Sequence, residues 1–351
     1  MPLKAARRAG LAVLFALAPT PALAPEETPR DRLRAAYAAP PSAWPTPWVD
    51  PGVAFVELGA RDLPARGPEV EIGLGRRLFF EPRLSAGGDL ACASCHDPAT
   101  GFTVRTPVAT GHEGARGRRN PPSLIGVEAR PSLGWDGGAT SLSERLLAPI
   151  TDPREMGNAR LDHALARFSG DPPYAGLTPD RAGAALAAYV ATLDSETRFD
   201  RFARGDAAVL SDQEIEGLHL FRTKARCANC HFGPTLTDDD FHNLGLSAFG
   251  EPGQDLGRHE ATGDTADAGA FRTPGLRHAR DTGPYGHAGL FPTLEGVIAL
   301  YDRGGGEIWI RNAREAAQPL RRAAAARSPH VTPLGLTAGE RAALAAFLRT
   351  L

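Results

Sequence analysis

Two five-residue strings constrain this chain more than anything else in it: Cys92-Ala93-Ser94-Cys95-His96 and Cys227-Ala228-Asn229-Cys230-His231. They lie 135 residues apart and use all four cysteines of a 351-residue chain. Cys-x-x-Cys-His is the attachment signature of c-type haem. The spacing has a chemical reason: the two thiols add to the haem vinyl groups as thioethers, and the next residue then sets its imidazole beneath the iron. A single copy could also be a thioredoxin-like redox pair or half of a zinc site, and four cysteines in an exported chain default to two disulfides. Two complete copies favour two covalently bound haem c groups, one on Cys92, Cys95 and His96, the other on Cys227, Cys230 and His231.

Export is expected from the first residues. Lys4, Arg7 and Arg8 precede an apolar run from Leu11 to Leu17 that closes on Pro21-Ala22-Leu23-Ala24, the pattern of a secretory signal peptide over residues 1–24. The run is short of the about 20 residues that cross a bilayer, and no later stretch is long enough. The processed chain is therefore expected in the periplasm with no membrane span, its cleavage position open by a few residues around Pro25. A net charge of −2 argues against nucleic acid as a partner.

The rest of the chain divides into an arm and two blocks, at roughly 150 residues per domain. Residues 25–68 form a Pro-rich arm, with Pro40, Pro41, Pro45, Pro47 and Pro51 too close for a helix, and read as extended chain lying on the body. Helical patterning starts at Glu69 and recurs at Ser141–Leu147, Leu161–Phe168 and Arg181–Leu193. Ser211 with Glu214, and Thr337 with Glu340, have the form of capping boxes ahead of further helices, the second running from Arg341 to Leu351. Between them, residues 232–289 read mainly as loop, and a loop that long in a compact domain usually wraps something. The expected fold class is all-α, an internal duplication of two helical domains, 69–203 and 204–351, each built around one haem. With few aromatic residues, each domain needs its haem as part of the core, so the apo-protein is expected to fold poorly.

Several further strings occur in order from about Gly73 onward. They are Gly75-Arg76-Arg77-Leu78-Phe79-Phe80 with Pro82-Arg83-Leu84-Ser85, Gly117-Arg118-Arg119-Asn120-Pro121-Pro122, Trp135-Asp136-Gly137, Pro153-Arg154-Glu155-Met156-Gly157, Phe241-His242-Asn243-Leu244-Gly245, Phe271-Arg272-Thr273-Pro274 and Gly283-Pro284-Tyr285-Gly286-His287. Together with the two haem strings they resemble the bacterial diheme cytochrome c peroxidase and MauG family. The resemblance implies two cytochrome c-like domains whose haems face one interface, the N-terminal haem peroxidatic and the C-terminal one passing electrons.

It also implies roles for individual residues. Glu155 matches the distal acid–base residue at the N-terminal haem; cleaving peroxide heterolytically requires moving a proton from one oxygen to the other. Taken alone, it would read as an exposed Glu near a helix start. His112 matches a distal ligand that some members hold on the N-terminal iron until reduction releases it, or it is a loop histidine. Trp135 matches the tryptophan placed between the haems as an electron relay, or is simply buried core. The peroxidases hold the C-terminal iron with Met, but this chain has only Met1 and Met156. Tyr301 stands at the corresponding position, as in MauG-type members, on one helical face with Leu294, Val297 and Ile298. A phenolate ligand stabilises oxidised iron and lowers its potential. Asn120, Thr282 and Pro284 match the positions that hold an interdomain calcium ion, through oxygen ligands suited to it. Arg145 departs from the pattern, since the peroxidases usually carry glutamine there.

The expected function is a periplasmic diheme peroxidase or oxidase acting on hydrogen peroxide. Its electrons would come from a small electron-donor protein or, in MauG-like fashion, from a protein substrate that becomes modified. The resemblance leaves room for a homodimer, which peroxidases of the family often form. The alternative from another class is a non-enzymatic diheme electron-transfer cytochrome with both irons closed by two ligands.

Overall fold

Two helix crossings at glycine organise the chain. The computed structural model describes Met1 and residues 27–351, so the expected signal peptide falls, Met1 apart, outside the described residues. In the first half, the Glu69–Phe79 helix crosses the Pro179–Val190 helix at Gly75, where an added Cβ would lie 1.9 Å from the Ala185 carbonyl oxygen. In the second half, the Asp212–Arg222 helix crosses the Ala338–Leu348 helix at Gly217, where a Cβ would lie 2.0 Å from the Ala343 carbonyl oxygen. Only glycine permits backbones this close. Gly217→Ala is accordingly expected to push the helices apart, cost about 1–3 kcal/mol through overpacking, and lower the midpoint of a calorimetric melt of the holoprotein.

The sequence sets these helices through their ends. Ser211 Oγ accepts from the Glu214 amide at 3.3 Å while the Glu214 carboxylate takes the Ser211 amide at 2.7 Å, and Thr337 and Glu340 repeat the exchange. The terminal helix begins at Ala338, right behind its cap. The Leu142–Thr151 helix starts from a Ser141 cap and runs on past the expected Leu147, with Pro149 in its last turn.

Two hydrophobic cores result. One gathers Leu78, Phe79, Ile150, Phe168, Leu186 and Val190. The other gathers Phe199, Leu218, Phe221, Leu344 and Phe347, together with Tyr37, Trp44 and Leu58 from the arm. The arm differs from the extended chain expected of it in one stretch: Pro29–Tyr37 is helical, capped reciprocally by Thr28 and Asp31, and lies ahead of the proline cluster. Its anchor is the fully buried Arg222, which pairs with Glu57 and donates to the Tyr37 hydroxyl at 2.9 Å and the Pro45 carbonyl at 2.7 Å.

Strand structure is confined, among the described residues, to a short antiparallel pair inside the long loop: β1 (Phe241–Asn243) and β2 (Ala270–Arg272), with His242 opposite Phe271. That loop wraps the first half of the chain. The β2 residue Arg272 donates its amide to the Trp135 carbonyl at 2.8 Å, and Arg119 forks onto Asp255 at 2.6 and 2.8 Å. Arg258 lies over the Phe241 ring and donates to the carbonyls of Asp136 and Gly137. Gly137, at φ +64°, leaves no room for a side chain against Phe241. Among the described residues no helix is long and apolar enough to cross a membrane.

Candidate haem centres

Both Cys-x-x-Cys-His strings adopt the same local device. Cys92–Cys95 and Cys227–Asn229 each make a single helical turn, so both cysteines project from one short segment ahead of the histidine. His96 Nδ1 then bonds the Phe102 carbonyl at 2.9 Å, and His231 Nδ1 the Leu236 carbonyl at 3.0 Å. Phe102 and Leu236 sit at φ +58° and +55°, a left-handed conformation that bulky residues rarely adopt. Strain of that kind persists where the surroundings over-determine it, as at functional sites. Its effect here is to turn each carbonyl onto an imidazole, fix the Nδ1–H tautomer, and leave Nε2 as a free lone pair for a metal.

The four cysteines are unpaired, so no disulfide forms between them. Burial pushes the Cys92 and Cys227 thiols up to about 12. That environment is the reverse of the lowered thiol of a redox-active pair. Cys230 does lie with Asp238 and His242 within 4.8 Å, but His242 Nε2 is already bonded to Asp238 at 2.8 Å. The residues fit thioether-linked haem better than a disulfide, a redox dithiol or zinc.

The second string opens onto a cavity of about 270 Å³ lined mainly by apolar side chains. Cys227, Cys230, His231 and Phe221 border it on one side, and the Leu294–Asp302 helix presents Leu294, Val297, Ile298 and Tyr301 from another. Those four occupy positions i, i+3, i+4 and i+7, one face of the helix. The hydroxyls of Tyr301 and Tyr189 have no hydrogen-bond partner among the described residues, whereas those of Tyr37, Tyr174 and Tyr285 are bonded; of the two, Tyr301 alone borders this cavity. Burial pushes the Tyr301 phenol up, with Cys230, Cys227 and Asp238 adding to it. A phenol left alone on a cavity wall stays neutral; a ferric ion opposite would make the phenolate the favoured form and supply the missing partner.

Asn120, Trp135, Thr282 and Pro284 border the same cavity. Trp135 is held at both ends: its Nε1 donates to the Asn120 carbonyl at 2.8 Å, and its own carbonyl takes the β2 amide described above. Asn120 is buried and donates to the Pro107 carbonyl at 3.1 Å. This wall therefore joins the first half of the chain to the second.

The first string has a different neighbourhood. Glu155 influences both the Cys92 and Cys95 thiols, and Arg145 influences His96, so these five side chains share one region. Glu155 lies in the turn after the Leu142–Thr151 helix, half-buried, and its carboxylate makes no hydrogen bond among the described residues. Burial pushes its pKa up, Arg145 pulls against that, and Asp152 adds to it. Its backbone is fixed by His112, whose amide donates to the Glu155 carbonyl at 2.8 Å. His112 Nδ1 is buried without a partner, and its Nε2 is 3.9 Å from the exposed Glu113 carboxylate. Met156 is buried in the first core rather than facing the second cavity.

Sequence reasoning left two features unread: the left-handed carbonyls behind each histidine, and the charge of the cavity wall around Arg130, Asp239 and Arg272. Arg272 was visible within Phe271-Arg272-Thr273-Pro274, but nothing in that string says what it faces.

Two histidine-bearing seats with two cysteines each, in one helix-rich chain, define a c-type protein carrying two haems. Comparison with known proteins agrees. The family model of di-haem cytochrome c peroxidase matches residues 69–208. The chain is 37% identical over 295 residues to the methylamine utilization protein MauG of Methylorubrum extorquens strain AM1, spanning 80% of this chain and 78% of that one. It is 31% identical over 334 residues to the cytochrome-c peroxidase IdrP2 of Denitromonas iodatirespirans, spanning 84% and 85%. Among solved structures, a MauG-like protein associated with microbial copper homeostasis superposes with a TM-score of 0.71 at 32% identity, covering 87% of this chain and 95% of that one. The chain belongs to the di-haem cytochrome c peroxidase and MauG family, oxidoreductases that act on peroxide and carry two c-type haems.

The cavity gives the second haem a structural role as well. A haem seated at Cys227, Cys230 and His231 would cover the apolar side chains that line this cavity and so become part of the packing of the second half. The double variant Cys227→Ser, Cys230→Ser is expected to lose the cooperative unfolding transition of the second half, read by near-ultraviolet circular dichroism against temperature.

Proposed function

We propose that this chain is an exported, periplasmic diheme peroxidase of MauG type, built from two cytochrome c-like units, with hydrogen peroxide reacting at the N-terminal haem. The observation that carries the MauG-type reading is the unpartnered Tyr301 hydroxyl on the cavity wall shared with His231. The haems, when bound by Cys92, Cys95 and His96 and by Cys227, Cys230 and His231, supply iron that takes up peroxide and holds oxidising equivalents.

The protein's own groups do the rest. The Glu155 carboxylate accepts the proton from one peroxide oxygen and returns it to the other as the O–O bond breaks. Its half-buried position and lack of hydrogen bonds leave it free to do both. Trp135, fastened to both halves of the chain, provides an aromatic path between the two seats. Reduction of one peroxide to two waters consumes two electrons and two protons. The electrons come from a small periplasmic redox protein or from a protein substrate that is itself oxidised. His112, packed on the Glu155 turn with an unpartnered ring nitrogen, would gate the first iron only in a reductively activated peroxidase, in which the diferric protein stays inert until one electron is added. Asn120, Thr282 and Pro284 are the candidate calcium ligands, supported by their common position on the wall that joins the halves; water oxygens would complete the six to eight that calcium takes.

The alternative of a pure electron carrier differs in one observable. A carrier has both irons closed by two ligands and is wholly low-spin by electron paramagnetic resonance. The enzyme shows a high-spin ferric signal at rest or after addition of one electron, and a spectrum that is low-spin in both states would overturn the proposal.

A further inference from the structure

The wall of the second cavity carries unequal charge. Four arginines border it: Arg130, Arg226, Arg272 and Arg277. Two of them have carboxylates of their own, Arg226 with Asp50 at 2.5 Å and Arg277 with Asp200 at 2.7 Å. The other two share one: Arg130 Nη1 lies 3.1 Å and Arg272 Nη1 3.5 Å from the same oxygen, Asp239 Oδ1. Both guanidiniums are nearly inaccessible, at 6% and 8% side-chain exposure. Glu128 and Asp194 flank Arg61, and Glu128 also acts on Arg130, with Arg61 opposing it, but neither carboxylate borders the cavity.

A buried charge without a counter-charge is costly. Here the pair is left one negative charge short on a wall facing an otherwise apolar space. Burial and then the neighbouring Arg130 push the Arg272 guanidinium down to about 10, the expected sign for two cations forced together. The direction is also fixed, because Arg272 Nε is tied to the Gly134 carbonyl at 3.1 Å and its amide to Trp135.

We infer that Arg130 and Arg272 are a carboxylate clamp: together they bind an ionised propionate of the haem attached at Cys227 and Cys230, beside Trp135. A guanidinium fork suits a carboxylate better than any other side chain does. The propionate supplies the absent negative charge, and the two arginines hold it ionised at the junction between the halves of the chain. Their positive charge also stabilises the reduced state of that haem. This rests on a second haem being seated at Cys227 and Cys230, and not on peroxide being the substrate.

The test uses the holoprotein and its Arg130→Met, Arg272→Met, Arg130→Lys and Arg272→Lys variants. A pyridine haemochrome assay first confirms two haems per chain, which keeps failure of the seat separate from failure of the clamp. Spectroelectrochemistry then reads the reduction equilibrium of the second haem, and infrared spectra with ¹³C-labelled haem carboxylates read the propionate directly. Each Met variant is expected to shift the equilibrium about tenfold towards the ferric form, about 59 mV for one electron, and to move the labelled carboxylate bands. Each Lys variant, keeping charge but losing the fork, is expected to stay within threefold while the bands still move. If the Met variants lose haem, the Lys variants decide by their bands. Labelled bands that do not move in any variant with two haems, or Met variants within twofold of the parent, would overturn the clamp.

Discussion

Glu155→Gln is expected to slow the reaction of the protein with hydrogen peroxide by roughly 10²–10⁴-fold while leaving two haems per chain and an unchanged melt. The amide is nearly isosteric, so the half-buried turn and its backbone bond from His112 remain. What disappears is the group that accepts and returns the proton. The pH dependence has a definite sign. Burial raises the Glu155 pKa above the carboxylate value of 4.5, and only the ionised form accepts a proton. The rate therefore rises with pH, with its midpoint above 4.5. Arg145 holds that pKa down, so Arg145→Gln moves the midpoint to higher pH. Stopped-flow rates against pH for parent and variants check all three statements. A rate unchanged in Glu155→Gln would remove Glu155 from the chemistry.

Tyr301→Met is expected to raise the reduction potential of the second haem by on the order of 100 mV or more, since axial ligands tune haem over about 0.8 V. The phenolate is anionic and favours the ferric state, whereas a thioether is neutral and favours the ferrous one. Methionine is also close enough in volume to sit on the Leu294, Val297, Ile298 face without disturbing the helix. Tyr301→Phe separates ligation from packing: it keeps the ring and removes the oxygen, and is expected to convert the second ferric signal from low-spin to high-spin. If neither substitution changes the potential or the spin state, Tyr301 is an ordinary wall residue and the MauG-type reading fails with it.

Much of this could be read in the sequence because it rests on local chemistry. The capping boxes at Ser211 and Thr337 involve residues three apart, and the Tyr301 face repeats at helical spacing, so both are visible in a linear string. The Cys-x-x-Cys-His strings are likewise complete within five residues. What escaped depends on residues far apart in the chain. Arg130, Asp239 and Arg272 come together only because the long loop folds back onto Trp135, and no spacing rule anticipates a carboxylate shared between two arginines. The helix at Pro29–Tyr37 was obscured for another reason: the prolines that argue for extended chain all follow it, while its own Pro29 occupies the first helical turn, where proline is tolerated. The glycine crossings at Gly75 and Gly217 were hidden because a helix-interior glycine looks destabilising until its partner backbone is known.

The most direct test of the central claim is to mix the purified diferric protein, without prior reduction, with one equivalent of hydrogen peroxide and follow its optical and electron paramagnetic spectra. Both haem signals are expected to change at once, with one peroxide consumed per chain, and Glu155→Gln is expected to abolish the prompt change. Unaltered spectra and fully recovered peroxide, in the diferric protein and again after addition of one electron, would contradict the claim.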